Sequence, residues 1–303
     1  ARSMERAENT ARMLDVTYRM SLLKRATAEP SQEWSAMLNI SGLHYVYSES
    51  HPQVDADRVL HFMTLDESNP SSIVNSLQLA RDNARTVRGT ITSEMWEALN
   101  ATWIEMNAIR SRGLPADGIA AFFEWVKERS HLFRGITYGT MLRDDAFRFI
   151  RLGTFIERAD NTSRILDVKY HILLPSLEDV GGAGDYYQWG ALLRSVSAFE
   201  TYRKVYRDVI TPRRVAELLI LRADMPRSLY ASVLEVDQQL REINGDRSGE
   251  LLRQAGLLAA ELRYGRIEDI IGQGLHEYLT RFLDRIYALG DLVNSTYFWP
   301  ADA

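Results

Sequence analysis

Met4-Glu-Arg-Ala-Glu-Asn-Thr-Ala-Arg-Met-Leu-Asp-Val-Thr-Tyr18 returns 152 positions later as Ile156-Glu-Arg-Ala-Asp-Asn-Thr-Ser-Arg-Ile-Leu-Asp-Val-Lys-Tyr170. Ten of the fifteen positions are identical, and Glu8 becomes Asp160 with its charge kept. A self-match at fixed offset governs how the rest of a chain is read. Apolar positions in two copies of a helix need only stay apolar to keep a core packed. Here the repeated identities include Glu, Arg, Asn, Thr and Asp, which packing alone does not dictate. The same charged and hydrogen-bonding groups are therefore held twice.

The echo runs on with small drifts in offset, as changes in loop length would produce. Trp34, Ala36, Leu38 and Tyr47 match Trp189, Ala191, Leu193 and Tyr202 at an offset of 155. Arg58, Val59, Pro70, Ser72 and Ser76 match Arg214, Val215, Pro226, Ser228 and Ser232 at 156. A weaker match sets Phe123-Glu-Trp-Val126 beside His276-Glu-Tyr-Leu279. We read a first helical repeat over 1–150 and a second over 151–303, related by a pseudo-two-fold axis and packed as one unit.

Helical periodicity runs through nearly every segment, and no stretch alternates as a strand does. At about 100° per residue, Ala7, Ala11, Leu14, Tyr18 and Leu22 share one side of the first motif helix. Glu5, Glu8, Arg12, Asp15 and Arg19 gather on another. Further helices are expected over 31–49, 54–65, 70–89, 92–111, 117–138, 141–172, 185–206, 212–222, 226–243, 249–262 and 266–297. Pro30-Ser31, Asn69-Pro70-Ser71 and Met225-Pro226 read as helix starts. Gly113-Leu-Pro115, Asn244-Gly-Asp246 and Gly181-Gly-Ala-Gly184 read as loops, the last as the join between the repeats. The fold class is all-α, a helical bundle.

Bulk properties narrow the function. The chain has 303 residues, 46% hydrophobic, which is ample for a substantial core and near the globular average. No run of about 18 apolar residues suggests a membrane span, and the start lacks the apolar core of a signal peptide. The absence of cysteine excludes disulfides, thiol nucleophiles and sulfur-ligated metals, and fits a cytoplasmic setting. A net charge of −5 gives no bulk attraction to nucleic acid.

The repeated face supplies the candidate site residues: Glu5, Arg6, Asn9, Arg12 and Asp15, with Glu157, Arg158, Asn161, Arg164 and Asp167. Exposed i,i+4 pairs contribute only about 0.3–0.5 kcal/mol each. Breaking one partner of a buried pair costs about 3–5 kcal/mol. Two readings stay open. The face is an internal ion lattice that fixes register, or it lines a pocket whose arginines hold a carboxylate or phosphate bidentately. Arg81 and Arg85, with Arg88, share a second helix face that suits an anion or simply water. Arg143 and Asp144, near Arg148 and Arg151, extend the second motif. Glu128-x-x-His131 has the spacing of a carboxylate-bridged di-iron site, yet no second copy exists to complete one. The remaining histidines show no metal-ligand spacing, so no metal or cofactor is expected. No phosphate-binding glycine loop or nucleophile elbow appears. Trp34, Trp96, Trp103, Trp125 and Trp189 read as core or interface anchors.

At these residues the sequence resembles the bacterial alpha-E family, all-helical proteins named for a Glu-Arg motif. The resemblance rests on Glu5-Arg6-Ala-Glu-Asn-Thr-Ala-Arg12 and on the run from Thr140 to Asp160. Asn69-Pro-Ser-Ser-Ile73, Ala80-Arg-Asp-Asn-Ala-Arg85, Trp96 and Asn100 support it. Family members carry a helical stretch before the first Glu-Arg, like that over 143–155 before the second. Only four residues precede Glu5 here, so either a beginning is missing or the first motif helix is shorter.

The resemblance implies an association with circularly permuted ATP-grasp proteins, transglutaminase-like peptidases and a proteasome-like peptidase. It therefore implies a system that makes, modifies or removes amide-linked peptides. The expected role is an accessory helical protein that binds an ATP-grasp or transglutaminase-like partner, or a peptide, through the Glu/Arg/Asn face. An enzyme using Glu5 or Glu157 as general base is an alternative, although neighbouring arginines oppose the raised pKa such a base needs. A purely structural interaction module is another. Neither nucleic acid nor membrane is an expected partner, and self-association stays open.

Overall fold

A computed structural model describes residues 1–23, 31–114, 118–172, 183–243 and 249–298. Among the described residues there are fifteen α-helices and no strand. They divide into two compact units, Ala1–Phe147 and Arg148–Ala303. The division falls three residues before the boundary expected from the sequence.

The first unit holds α1 (Arg2–Leu23), α2 (Ser31–Ile40), α3 (His44–Ser50), α4 (Ala56–Thr64), α5 (Ile73–Thr86), α6 (Ser93–Arg112) and α7 (Ile119–Thr140). Helix α8 (Asp145–Ile172) starts at its end and carries the second motif. The second unit continues with α9 (Ala183–Ser195), α10 (Phe199–Tyr206), α11 (Pro212–Leu221), α12 (Leu229–Glu242), α13 (Gly249–Tyr264), α14 (Ile267–Gln273) and α15 (Leu275–Tyr297).

Side-chain caps set several helix starts. Asp55, Ser72 and Thr92 accept from the backbone N–H three residues on in α4, α5 and α6. Thr211, followed by Pro212 at the first helical position, and Ser228 do the same for α11 and α12. Each such cap is worth about 1 kcal/mol. Asn69 is fully buried and fixes the α4–α5 turn. Its Nδ2 donates to Phe62 O at 3.0 Å, and its Oδ1 accepts from Ser71 N at 2.9 Å.

Three expected helices are each broken in two. The stretch 31–49 divides at Gly42 (φ 69°) and 266–297 at Gly274 (φ 92°). The stretch 185–206 divides at Ser197, a non-glycine residue at φ 54°. Gly42 and Ser197 are themselves matched at the 155 offset, and the turns they make are alike. Leu43 N donates to Leu38 O at 2.9 Å, and Ala198 N donates to Leu193 O at 2.7 Å. This is the six-residue closure that ends a helix on a left-handed residue. Ala183 and Gly184 begin α9 rather than lying in a loop, while Gly181, Gly182, Pro30, Pro115 and Asn244-Gly-Asp246 lie outside the described residues.

In the first unit α1 lies between α5 and α7, and α6 packs on both of those helices, giving a four-helix core. Trp34, Tyr47, Phe62, Phe123 and Leu14 are fully buried there. Truncating one such aromatic to alanine typically costs about 3–5 kcal/mol. In the second unit α13 packs on α12 and α15, and Trp189, Tyr202 and Leu166 are buried. Tyr47 and Tyr202 also share a bonding role. Each hydroxyl donates to a backbone carbonyl, at Gln53 (3.0 Å) and Val209 (2.9 Å).

Candidate functional site

The charged side of α1 is not a solvated face. Glu5, Glu8, Asn9 and Asp15 are all buried, and Glu8 is 0% exposed. What covers them is α7. Arg134 Nη1 donates to Glu5 Oε2 at 2.9 Å and to Glu8 Oε2 at 2.5 Å. Ser130 Oγ donates to the same Glu8 oxygen at 2.7 Å. The other oxygen, Oε1, accepts from Arg12 Nε at 2.8 Å and has His131 Nε2 at 3.5 Å. Arg12 Nη2 itself lies 3.2 Å from that ring nitrogen.

About two turns further along from Glu8, Asp15 joins the same two helices. It accepts from Arg19 Nε at 2.7 Å and from Lys127 Nζ at 3.1 Å. Lys127 also reaches Glu124 at 2.6 Å. The register of α7 explains the arrangement: Glu124, Lys127, Ser130, His131 and Arg134 recur at three- and four-residue steps and form one stripe. Glu128 lies off that stripe and is exposed, while His131 turns to Arg12 and Glu8. No group of three or more His, Cys, Asp or Glu suited to a metal occurs among the described residues.

The second motif uses matched positions with different chemistry. Arg164 Nε donates to Asp160 at 3.0 Å, as Arg12 does to Glu8. Tyr287 on α15 takes the place of Arg134, which it matches at the 153 offset of the weak α7/α15 echo. Its hydroxyl donates to Asp160 Oδ1 at 2.6 Å and accepts from Arg164 Nη2. Burial, with the Asp160 carboxylate beside it, pushes the Tyr287 phenol up to about 12. Burial lowers the Arg164 guanidinium, but Asp160 and Tyr287 together leave it above its ordinary value. Asp167 meets His276 at 2.6 Å.

Glu157, Arg158 and Asn161 are buried. Arg158 Nη1 donates to Pro226 O at 3.4 Å, and its guanidinium lies 4.8 Å from the centre of the Phe155 ring. Arg151 covers the same ring at 4.4 Å and pairs with Glu235 at 2.6 Å. A cavity of about 370 Å³ opens here, with Phe155, Arg158, Asp224, Glu235 and Gln238 in its lining. Arg6 is half-buried on α1.

The secondary candidates separate. Asp144 Oδ1 accepts from Phe147 N at 3.2 Å and so caps α8. Arg143 lies on the rings of Tyr138 and Phe147, at 4.8 and 4.2 Å, and donates to Tyr138 O. Neither joins the α1 network. Arg81 Nε donates to Asn100 Oδ1 at 3.0 Å, and Arg85 is exposed.

The decisive comparison is with family models. One describes a predicted alpha-helical domain with a conserved ER motif, and it matches residues 1–298. The chain belongs to the Alpha-E family. The repeated motif of this Alpha-E protein carries the Glu-Arg pairs Glu5-Arg6 and Glu157-Arg158, and both of these glutamates are buried. No curated protein and no solved structure matches it. Among the described residues no helix is long and apolar enough to cross a membrane.

The sequence reading missed six partners: Lys127, Ser130, His131, Arg134, His276 and Tyr287. It also placed Glu8 on the charged face without singling it out, although Glu8 is the centre of the α1 network. Extending the Phe123/His276 match by eleven residues pairs Arg134 with Tyr287 and is the signal that would have found them.

Proposed function

We propose that this Alpha-E protein is a non-catalytic helical partner in a system that makes or modifies amide-linked peptides, docking an ATP-grasp or transglutaminase-like protein. In this reading the motif residues are the internal scaffold, and partners meet the outer surface in a reducing cytoplasm. One observation carries it: both oxygens of the Glu8 carboxylate are already bonded to Arg12, Arg134 and Ser130, at 0% exposure. A general base must lie within reach of a substrate proton, and Glu8, Glu5 and Glu157, at 0%, 2% and 5% exposure, are poorly placed for one. Breaking such a buried network costs several kcal/mol, which gives a physical reason for keeping the same charges in both copies. The direction of the partnership comes from the family resemblance.

The test is co-purification with an ATP-grasp and a transglutaminase-like protein encoded nearby. A complex that persists at micromolar concentration supports the docking role, and none at that concentration removes it. A second reading is favoured by the cavity beside Arg158: guanidinium, carboxylates and carboxamide around an aromatic wall suit an amino acid or peptide end. Dipeptide binding that is lost in Arg158→Met, with the melting temperature kept, would favour it.

A further inference from the structure

The α1 network leaves one charged motif unexplained. Arg81 and Arg85 lie about 40° apart on α5 at 100° per residue and about 6 Å apart along its axis, and Arg88 follows in the turn just beyond the last helical residue, Thr86. Arg85 and Arg88 are exposed and make no ion pair among the described residues. Arg81 has only its chain neighbour Asp82, at 3.3 Å. The stripe is held in place from α6. Asn100 Oδ1 accepts from Arg81 Nε at 3.0 Å, and Trp96 lies under two guanidiniums, those of Arg81 at 5.8 Å and Arg88 at 5.1 Å from its ring centre. An ordinary solvated arginine face needs neither device.

The second unit shows what the same helix looks like when its charge is cancelled. At the 156 offset that pairs Ser72 with Ser228, the three arginines correspond to Asp237, Arg241 and Asn244. There Arg241 Nε donates to Asp237 at 2.9 Å, and the formal charge of the triplet is zero. The first unit puts a third positive charge where the second has a carboxylate. A helix of this kind therefore packs well without the arginines.

We propose that the Arg81/Arg85/Arg88 stripe, with Trp96 and Asn100 as its support, docks an acidic helical segment of a partner protein. This rests on the docking function proposed above and names its surface. Carboxylates at i and i+4 on a facing helix repeat the Arg81–Arg85 spacing, with a third at i+7 left for Arg88 beyond the end of α5, and they accept from guanidiniums as charge-assisted bonds. Nucleic acid fits less well. The indole face that a base would stack on is already covered by guanidiniums, and the chain as a whole carries −5.

The probe is a capped Ala/Gln helical peptide with glutamates at i, i+4 and i+7, titrated by calorimetry against the full chain. Its control has glutamines at those positions, and a twenty-residue oligothymidylate tests nucleic acid. The expected result is binding of the glutamate peptide alone, weakened at least tenfold between 50 and 500 mM salt and lost in R85E/R88E. Those two residues are exposed, so the variant should melt within about 2 °C of the parent. Equal binding by R85E/R88E, no binding of the glutamate peptide at millimolar concentration, or tighter binding of the oligonucleotide overturns the proposal. Co-purification separates the two levels. An ATP-grasp complex that forms equally with R85E/R88E sinks this surface and leaves the docking function standing. Peptide binding that depends on the arginines, with no complex formed by the parent chain, sinks the docking function instead.

Discussion

Replacing Arg134 by methionine removes the cation that bridges two buried carboxylates. Glu5 and Glu8 are 2% and 0% exposed, and the guanidinium reaches both at 2.9 and 2.5 Å. Methionine fills comparable space without charge, so cavity formation contributes little. Glu8 keeps Arg12 and Ser130, which places the loss at about 3–5 kcal/mol, the range for breaking a buried ion pair. That is a large share of the roughly 5–15 kcal/mol that holds a domain folded. At about 2–4 °C per kcal/mol for a unit of this size, the first unit should melt roughly 6–20 °C lower. A chain of two compact units can melt in two steps, so hydrogen exchange resolved by segment is the better assay. Amides of α1 and α7 should lose protection, while those of α13 and α15 keep theirs. Pairing the change with Glu8→Gln gives a cycle whose coupling should be about 0.5–3 kcal/mol, because the glutamine no longer leaves a buried charge uncompensated. A loss below about 1 kcal/mol for Arg134→Met, the level of an exposed pair, would refute the reasoning.

Three further outcomes follow from local geometry. Ser197→Gly should stabilise the second unit by about 0.5–1 kcal/mol in urea unfolding, since only the non-glycine residue is strained at φ 54°. Asp144→Ala should cost about 1 kcal/mol by the same measurement, through loss of the α8 cap. Tyr287 holds its proton in the folded state to about 12, against 10.0 for an ordinary tyrosine. Between those values the unfolded chain has lost a proton that the folded chain keeps, so this group's contribution, complete below pH 10, falls as pH rises toward 12. Absorbance titration at the phenolate band should show one late-titrating tyrosine fewer in Tyr287→Phe.

The helical class and the motif helices were legible because period and repeat are local in sequence. Three breaks were not, since Gly42, Ser197 and Gly274 sit within runs that stay periodic on both sides. Ser197 carries no turn signature of its own, and only its match to Gly42 gives it away. The charged face was legible as a set of residues but not as a buried one. Burial of Glu8 depends on α7, more than 120 residues away, and nothing in α1 alone distinguishes a face that meets solvent from one that meets Arg134. The change from Glu8 to Asp160 looks conservative in sequence. In the fold it accompanies a change of partner from Arg134 to Tyr287, where a hydroxyl replaces a guanidinium.

The most direct test compares Glu8→Gln with the parent chain for stability and for co-purification with the proposed ATP-grasp partner. If the motif is an inner scaffold, the variant melts well below the parent and yet, at a temperature where it is folded, captures the partner equally. A variant that melts with the parent but no longer captures the partner would place Glu8 in a working site and contradict the account.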